Sequence, residues 1–340
     1  MTASALHLLD SRGIGGIESH VLTLVGGLHA AGLSARIALL DDFGPHPLVA
    51  AARSRGLPID VLSGFISLVF CLRRQKPALL HTHGYKAGIL GRLAGVITRT
   101  PVVSTFHNGD SGHGRVRLYT ALDRALARFS ANIAVSEPIL RRLRGRARLI
   151  GNFVAPADAV PVTVRRRIGF VGRLSHEKGP DRFCDLIESL GDVDAVIYGD
   201  GPMAKALRER YGRSIRFVGA VPDMAPHWPD IDLLVMPSRE EGLPLAALEA
   251  MVRGIPVLAT DVGDLPRVIR HGETGWIVPR DRTARMAEVI RTFLDLDLDA
   301  RRRLSDRIRE AALGEHVVAA RLPEILAVYR TLRRAPAPVT

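Results

Sequence analysis

The chain has 340 residues, 47% hydrophobic and 24% charged, and its 47 Lys and Arg against 35 Asp and Glu leave a formal net charge of +12. That length is too great for one ordinary core and fits two domains, and the composition lies near globular averages. Two cysteines, Cys71 and Cys184, exclude a disulfide framework; each sits far from the other in an apolar helical pattern, as expected of buried thiols in a reducing cytoplasm.

The charge is uneven. Residues 1–160 hold 19 Lys and Arg against 9 Asp and Glu, and the remainder 28 against 26, so the halves carry +10 and +2. A basic half attracts anionic membrane surfaces, nucleic acid or phosphorylated substrates, although a genome's bias toward Arg produces the same signal. No RNA-binding motif with interleaved aromatics accompanies it, so nucleic acid is not an expected partner. The start, MTASALHLLD, lacks a basic n-region and a long apolar run, and no window reaches membrane-spanning length. A cytoplasmic chain is expected. The stretch IDVLSGFISLVFCLRRQK reads first as a core helix and second as an interfacial one, which would place the chain peripherally on the inner face of the plasma membrane.

In chain order, residues 4–9, 35–40, 59–62, 78–81, 101–105 and 131–135 are short apolar runs bounded by turn residues or charges. They alternate with helix-period stretches such as 17–31 and 115–129, a pattern that predicts βαβ units and a parallel, doubly wound sheet. After the Pro- and Ala-rich linker GNFVAPADAVPVT the pattern restarts with RRIGFVG, DAVIYG, SIRFVG, DLLVM and GIPVLAT. Residues 282–331 read as helices, and 335–340 as a frayed tail. The expectation is two Rossmann-like α/β domains, 1–160 and 161–317, facing each other across a cleft, with a helix near 318–334 able to pack back on the first.

In such sheets ligands bind beyond the carboxyl ends of the strands. The first such loop, DSRGIGGIESH, has Gly13, Gly15 and Gly16, which permit close backbone approach to an anion, or simply a tight turn. Its spacing does not fit a dinucleotide fingerprint. The matching loop of the second half, VGRLSHEKG, carries Arg173 and Lys178, a fork and a point charge suited to gripping phosphates. In PSREEGLPLAALEAM, a short helix is predicted from Pro244 at its first position to near Gly254. Glu249 falls on its apolar side with Leu245, Leu248 and Val252, where a carboxylate is costly without partners, and Glu241 stands in the loop before it. Two fixed acceptors could bind hydroxyls at two places on one elongated ligand; alternatively they cap backbone and favour the helix dipole.

With these residues in view, the chain resembles the retaining, nucleotide-sugar-dependent glycosyltransferases of family 4, of the GT-B fold. GIGGIE, HTHGYKAG, TFHN, AVSE, VGRLSHEKG, YGDGP, RFVGAVPD, PSREEGLPLAALEAM and GIPVLATDVGDLP followed by HGETGWIVP carry the resemblance along nearly the whole chain. It implies that Glu241 contacts the donor sugar and Glu249 accepts from the ribose hydroxyls. Arg173 and Lys178 would neutralise the departing diphosphate, helped by the amides around Gly15 and Gly16. Leu243 and Pro244 would border the sugar and phosphate, Phe217 to Gly219 would line the base, and His107 would approach the donor sugar. The chain departs from the family at VGDLPRVI, where Asp264 and Arg267 leave the donor open between UDP- and GDP-hexoses.

No metal is expected. Asp192, Asp194 and the DLDLD at 295–299 lie outside a suitable loop, and His81, His83, His107 and His113 lack Cys or carboxylate partners at ligand spacing. The acceptor implied is a glycan or a lipid-linked acceptor of cell-envelope or exopolysaccharide synthesis. A sugar-nucleotide 2-epimerase-like enzyme and a non-catalytic nucleotide-sugar-binding partner are the alternatives.

Overall fold

A computed structural model of the chain describes residues 4–107, 115–143, 147–163 and 165–334. The tail from 335, Asn108 of the TFHN stretch and His113 lie outside the described residues. The chain divides into two compact units, one running to Phe153 and resuming at Val318, the other spanning Val154–Val317.

The first unit alternates strands and helices: β1 (Ala5–Leu9), α1 (Gly16–Ala30), β2 (Ala35–Leu39), α2 (Pro47–Ser54), β3 (Ile59–Val61), α3 (Gly64–Gln75) and β4 (Leu79–His83). It continues with α4 (Tyr85–Thr98), β5 (Val102–Phe106), α5 (Arg115–Ala125), β6 (Ala131–Ala134), α6 (Glu137–Arg142) and β7 (Arg148–Leu149). The strands form one parallel sheet in the order β3-β2-β1-β4-β5-β6-β7. Both faces are covered by helices, which is why β1 is buried at all five positions and reads as an unbroken apolar run apart from His7. The order reverses between β1 and β4, so the crevice beyond Leu9 and His83 is the switch point where ligands are expected.

The second unit holds β8 (Ile168–Val171), α7 (Pro180–Leu190), β9 (Ala195–Tyr198), α8 (Ala204–Tyr211), β10 (Arg216–Gly219) and β11 (Leu233–Met236). Then come α9 (Leu245–Met251), β12 (Val257–Thr260), α10 (Leu265–Val268), β13 (Gly275–Val278), α11 (Arg285–Leu294) and α12 (Leu298–Glu315). Its parallel sheet runs β10-β9-β8-β11-β12-β13, with the reversal between β8 and β11. The loops after Val171 and Met236 therefore meet at this unit's switch point. The last helix, α13 (Val318–Arg334), returns to the first unit, where Val318, Leu322, Ile325, Val328 and Tyr329 join the core with Val21 and Val25 of α1. Gly27 makes that approach possible: a Cβ there would lie 2.5 Å from Val318.

Several local expectations shift. Strand β4 runs on to His83, since His81 and His83 are buried in the sheet. The period over 115–129 breaks into α5 and a 3-10 turn at Leu126–Phe129. Pro244 is the cap, in extended backbone, and the helix starts at Leu245. The DLDLD run is a helix boundary: Asp297 caps α12 by accepting the Ala300 N–H at 2.7 Å. Asp194 pairs with Arg167 at 2.6 Å just before β9, at the sheet end opposite the switch-point loops. Cys71 and Cys184 are buried on α3 and α7. No described helix is long and apolar enough to cross a membrane.

Candidate active site

In the second unit, β8 ends at Val171 and the chain passes through Gly172, Arg173 and a 3-10 turn at His176–Lys178 before Gly179 starts α7. Gly179 has φ +68, and a Cβ on it would fall 2.4 Å from the carbonyl oxygen of Pro237, so only glycine lets this loop lie against the one after β11. The two loops are stitched together. Arg239 N–H donates to the Glu177 carbonyl at 2.8 Å, and the Arg239 guanidinium grips the Asp181 carboxylate and the His176 carbonyl. Gly263, with φ +60, packs its backbone on Gly242, whose carbonyl accepts the Asp264 N–H at 2.8 Å.

This scaffold delivers Lys178 to Glu241. The ammonium donates to both carboxylate oxygens, at 2.8 and 2.6 Å, and the Ser238 hydroxyl donates to one of them at 3.0 Å. The Glu241 side chain is 4% exposed and that of Lys178 28%. Arg173 is exposed nearby, and its charge reaches Glu177. Burial raises the Glu177 pKa, but the Ser175 hydroxyl and the Arg173 and Lys178 charges outweigh it and hold the carboxyl below its usual range. Asp181 is likewise held low, chiefly by the Arg239 hydrogen bonds.

Leu243 is buried and Pro244 half-buried at the head of α9. Glu249 is half-buried on that helix, whose fully buried residues are Ala247, Leu248, Ala250 and Met251. Its carbonyl accepts from Arg253 at 2.8 Å, and its charge counters the lowering of the Arg253 pKa by burial. Phe217 and Gly219 lie on the edge strand β10, with the Arg208 guanidinium 5.9 Å from the Phe217 ring and Gly219 at φ +93.

In the first unit, Gly15 caps α1 and its N–H donates to the Glu18 carboxylate at 2.8 Å, so an acidic group already sits at that helix start. Gly16 is the first helical residue. Beneath lies a chain of imidazoles. His83 has one ring nitrogen 3.2 Å from His107 and the other 3.2 Å from His7, while His20 meets His107 edge-on with centroids 4.7 Å apart. His81 is bracketed by Thr105 at 2.7 Å and Tyr329 at 2.8 Å. Burial, reinforced by neighbouring imidazoles at His7, His81, His83 and His107, favours neutral rings. His7 and His20 are lowered to about 3, and His81, His83 and His107 well below their ordinary value. Nitrogens of His7, His81 and His83, and of His20, His83 and His107, come within 4.8 Å of one another, the groupings among the described residues with spacing for a metal.

The structure thus brings Lys178, Glu241 and Ser238 into contact, with Arg173 on the same loop and Leu243 and Pro244 following. Gly15, Gly16 and His107 belong to the first unit. His7 and His20 were not recognised as part of the histidine group. The alternation of His81 and His83 onto one face is legible in the sequence, but only the pairing of β1 with β4 sets His7 beside His81.

Two family models match: "Glycosyltransferase Family 4" over residues 14–157 and "Glycosyl transferases group 1" over 165–295. The chain is 35% identical to the lipopolysaccharide core biosynthesis mannosyltransferase LpsB of Rhizobium meliloti, over 38% of this chain and 42% of that one. It is 28% identical to the phosphatidyl-myo-inositol mannosyltransferase of Mycobacterium leprae, over 94% and 93%. With the first of these, and with others matched locally, it spans about half of the relative's length. The structure of Anabaena HepE in complex with UDP-glucose matches with TM-score 0.84 at 20% identity, covering 97% of this chain and all of that one, a likeness of fold.

Proposed function

The chain belongs to the group 1, family 4 glycosyltransferases, of GT-B fold, and from that premise we propose that it transfers a hexose, with retention, from a UDP- or GDP-sugar to a glycan or lipid-linked acceptor in cell-envelope or exopolysaccharide synthesis. The observation that carries this reading is the Lys178–Glu241 pair at the second unit's switch point, with Arg173 exposed on the same loop. Cleaving a sugar–phosphate bond builds negative charge on the leaving diphosphate, so fixed cations act where charge develops. Lys178 and Arg173 take that role. Glu241 orients the donor sugar, and Glu249 the ribose. Leu243 and Pro244 border the sugar and phosphates, and Phe217 and Gly219 line the base.

His107 is half-buried and favours the neutral ring, which suits a positioning group better than a general base. The HepE complex and the mannosyltransferase relatives make UDP-glucose and GDP-mannose the first donors to test. A thermal-shift panel of nucleotide sugars identifies the donor, because a ligand that binds only the folded state raises apparent stability. Acceptor-dependent release of UDP or GDP then tests transfer. Arg173→Ala and Lys178→Ala each lower turnover by about a hundredfold or more. Near-normal transfer by both variants overturns the reading; donor binding without turnover points to a nucleotide-sugar-binding partner, and an altered donor sugar without acceptor points to an epimerase.

A further inference from the structure

Helices α4 and α5 carry charge inward and apolar side chains outward. Arg92 of α4 is 1% exposed and Asp123 of α5 6%, and they pair at 2.5 Å under the helices. Gly88 leaves the room for this, since a Cβ there would lie 2.4 Å from the Asp123 carboxylate. On the outer side of α5, Leu118 and Leu122 are 71% and 44% exposed, with Ala121 and Ala125 exposed in the same i, i+3, i+4 stripe. Leu93, Val96 and Ile97 of α4 are 44%, 62% and 50% exposed. Helix α3 packs beside α4 and adds Ile66 and Phe70 at 71% and 65%, while its inner side supplies Leu68, Cys71 and Leu72 to the core. Single exposed apolar residues are ordinary; apolar stripes on three neighbouring helices mark an interaction surface.

The charge around this face has one sign. Residues 64–76, 85–99 and 115–129 contain ten Lys and Arg against the single acid Asp123; Arg92 is paired with that acid beneath the helices and Lys86 with Asp10 and Asp41, which leaves eight cations in these stretches. Each of these helices returns the chain from the end of one parallel strand to the start of the next, so all three run the same way. Their C-terminal turns and the residues just beyond, with Arg73, Arg74, Lys76, Arg99 and Arg128, share one edge of the face, and all five are exposed.

We propose that this α3–α4–α5 face docks on an anionic phospholipid bilayer, the outward apolar side chains entering the headgroup–acyl boundary and the cations meeting lipid phosphates. An apolar patch edged by cations matches the bilayer's own layering. A second copy of the chain would instead bring two strongly positive faces together. The inference stands on the first unit alone and is independent of the donor assignment.

The test is sedimentation of the full chain with vesicles of phosphatidylglycerol and phosphatidylcholine, and with phosphatidylcholine alone. Binding is expected to the first and not the second at low salt, with release as salt screens the charges. Arg73→Ala with Arg74→Ala weakens it about fivefold per cation, and Leu118→Glu with Leu122→Glu about tenfold or more. These side chains are exposed, so circular dichroism melts of the variants match the parent. Equal binding by the variants, no binding to anionic vesicles at low salt, or a lipid-free dimer abolished by Leu118→Glu in place of vesicle binding would each overturn the proposal.

Discussion

Lys178 and Glu241, 63 residues apart in sequence, form a two-oxygen ion pair in which the carboxylate is far more buried than the ammonium. Removing the lysine therefore strands a desolvated acid that keeps, among the described residues, the Ser238 hydroxyl. Lys178→Ala is expected to lower stability by about 1–3 kcal/mol, below the full cost of breaking a buried pair because the ammonium is part-exposed. Lys178→Ala with Glu241→Ala recovers most of that loss without recovering transfer. Urea denaturation and a donor-turnover assay on the same preparations separate the two effects.

The approach of the loops at that pair can be tested through glycine. Gly179→Ala meets both a left-handed backbone and the Pro237 carbonyl, whereas Gly56→Ala, at φ +66, meets a positive φ and nothing within 4 Å. The first is expected to cost about 2–4 kcal/mol and the second about 1 kcal/mol. Equal melting temperatures for the two variants would show that the loop contact contributes nothing.

Acid should weaken the first unit well before carboxylates titrate. The five imidazoles of this cluster have folded-state pKa values below the unfolded value near 6.5, so the unfolded chain binds more protons once pH drops below it. Stability is full above about pH 6.5 and falls on acidification, by up to about 1.4 kcal/mol per pH unit for each imidazole. For His7 and His20 the loss continues toward about pH 3. Asp181 and Glu177, both held low, add their losses only below about pH 4.5. Denaturation midpoints across this range, with His20→Leu flattening the upper limb, check the sign and the window.

The Arg92–Asp123 pair gives a further test. Asp123→Ala leaves a guanidinium 1% exposed with the Ser130 hydroxyl and the Asp123 carbonyl as its remaining partners. A loss of about 3–5 kcal/mol is expected, largely recovered by Arg92→Met with Asp123→Leu, as for buried pairs exchanged for apolar side chains. Calorimetry of the single and double variants measures it.

Much of this fold was legible because strands covered on both faces leave unbroken apolar runs, as at Ala5–Leu9 and Leu233–Met236. The two-residue β7 is too short to show a period, and β13 opens with Gly275 at φ +146 in a turn-rich sequence. Periodicity also reports which residues share a helix face, not where that face points. The stripe through Leu118 and Leu122 reads like a core stripe, and only the buried Arg92–Asp123 pair turns it outward. At the candidate site, glycines and charges marked the loops, but the contact of Lys178 with Glu241 depends on β8 and β11 being neighbours, which sequence order hides. The imidazole chain likewise needs β1 beside β4.

Helix α13 carries a consequence for biogenesis. Its Tyr329 hydroxyl lies 2.8 Å from His81, 248 positions earlier, and its apolar side joins the core that α1 and α2 also cover. On the ribosome, the core of the first unit must wait for α13 to emerge, whereas Val154–Val317 already has its own core residues in hand. A nascent chain stalled before Val318 would therefore present a protease-sensitive beginning and a resistant middle, the reverse of the order in which they were made.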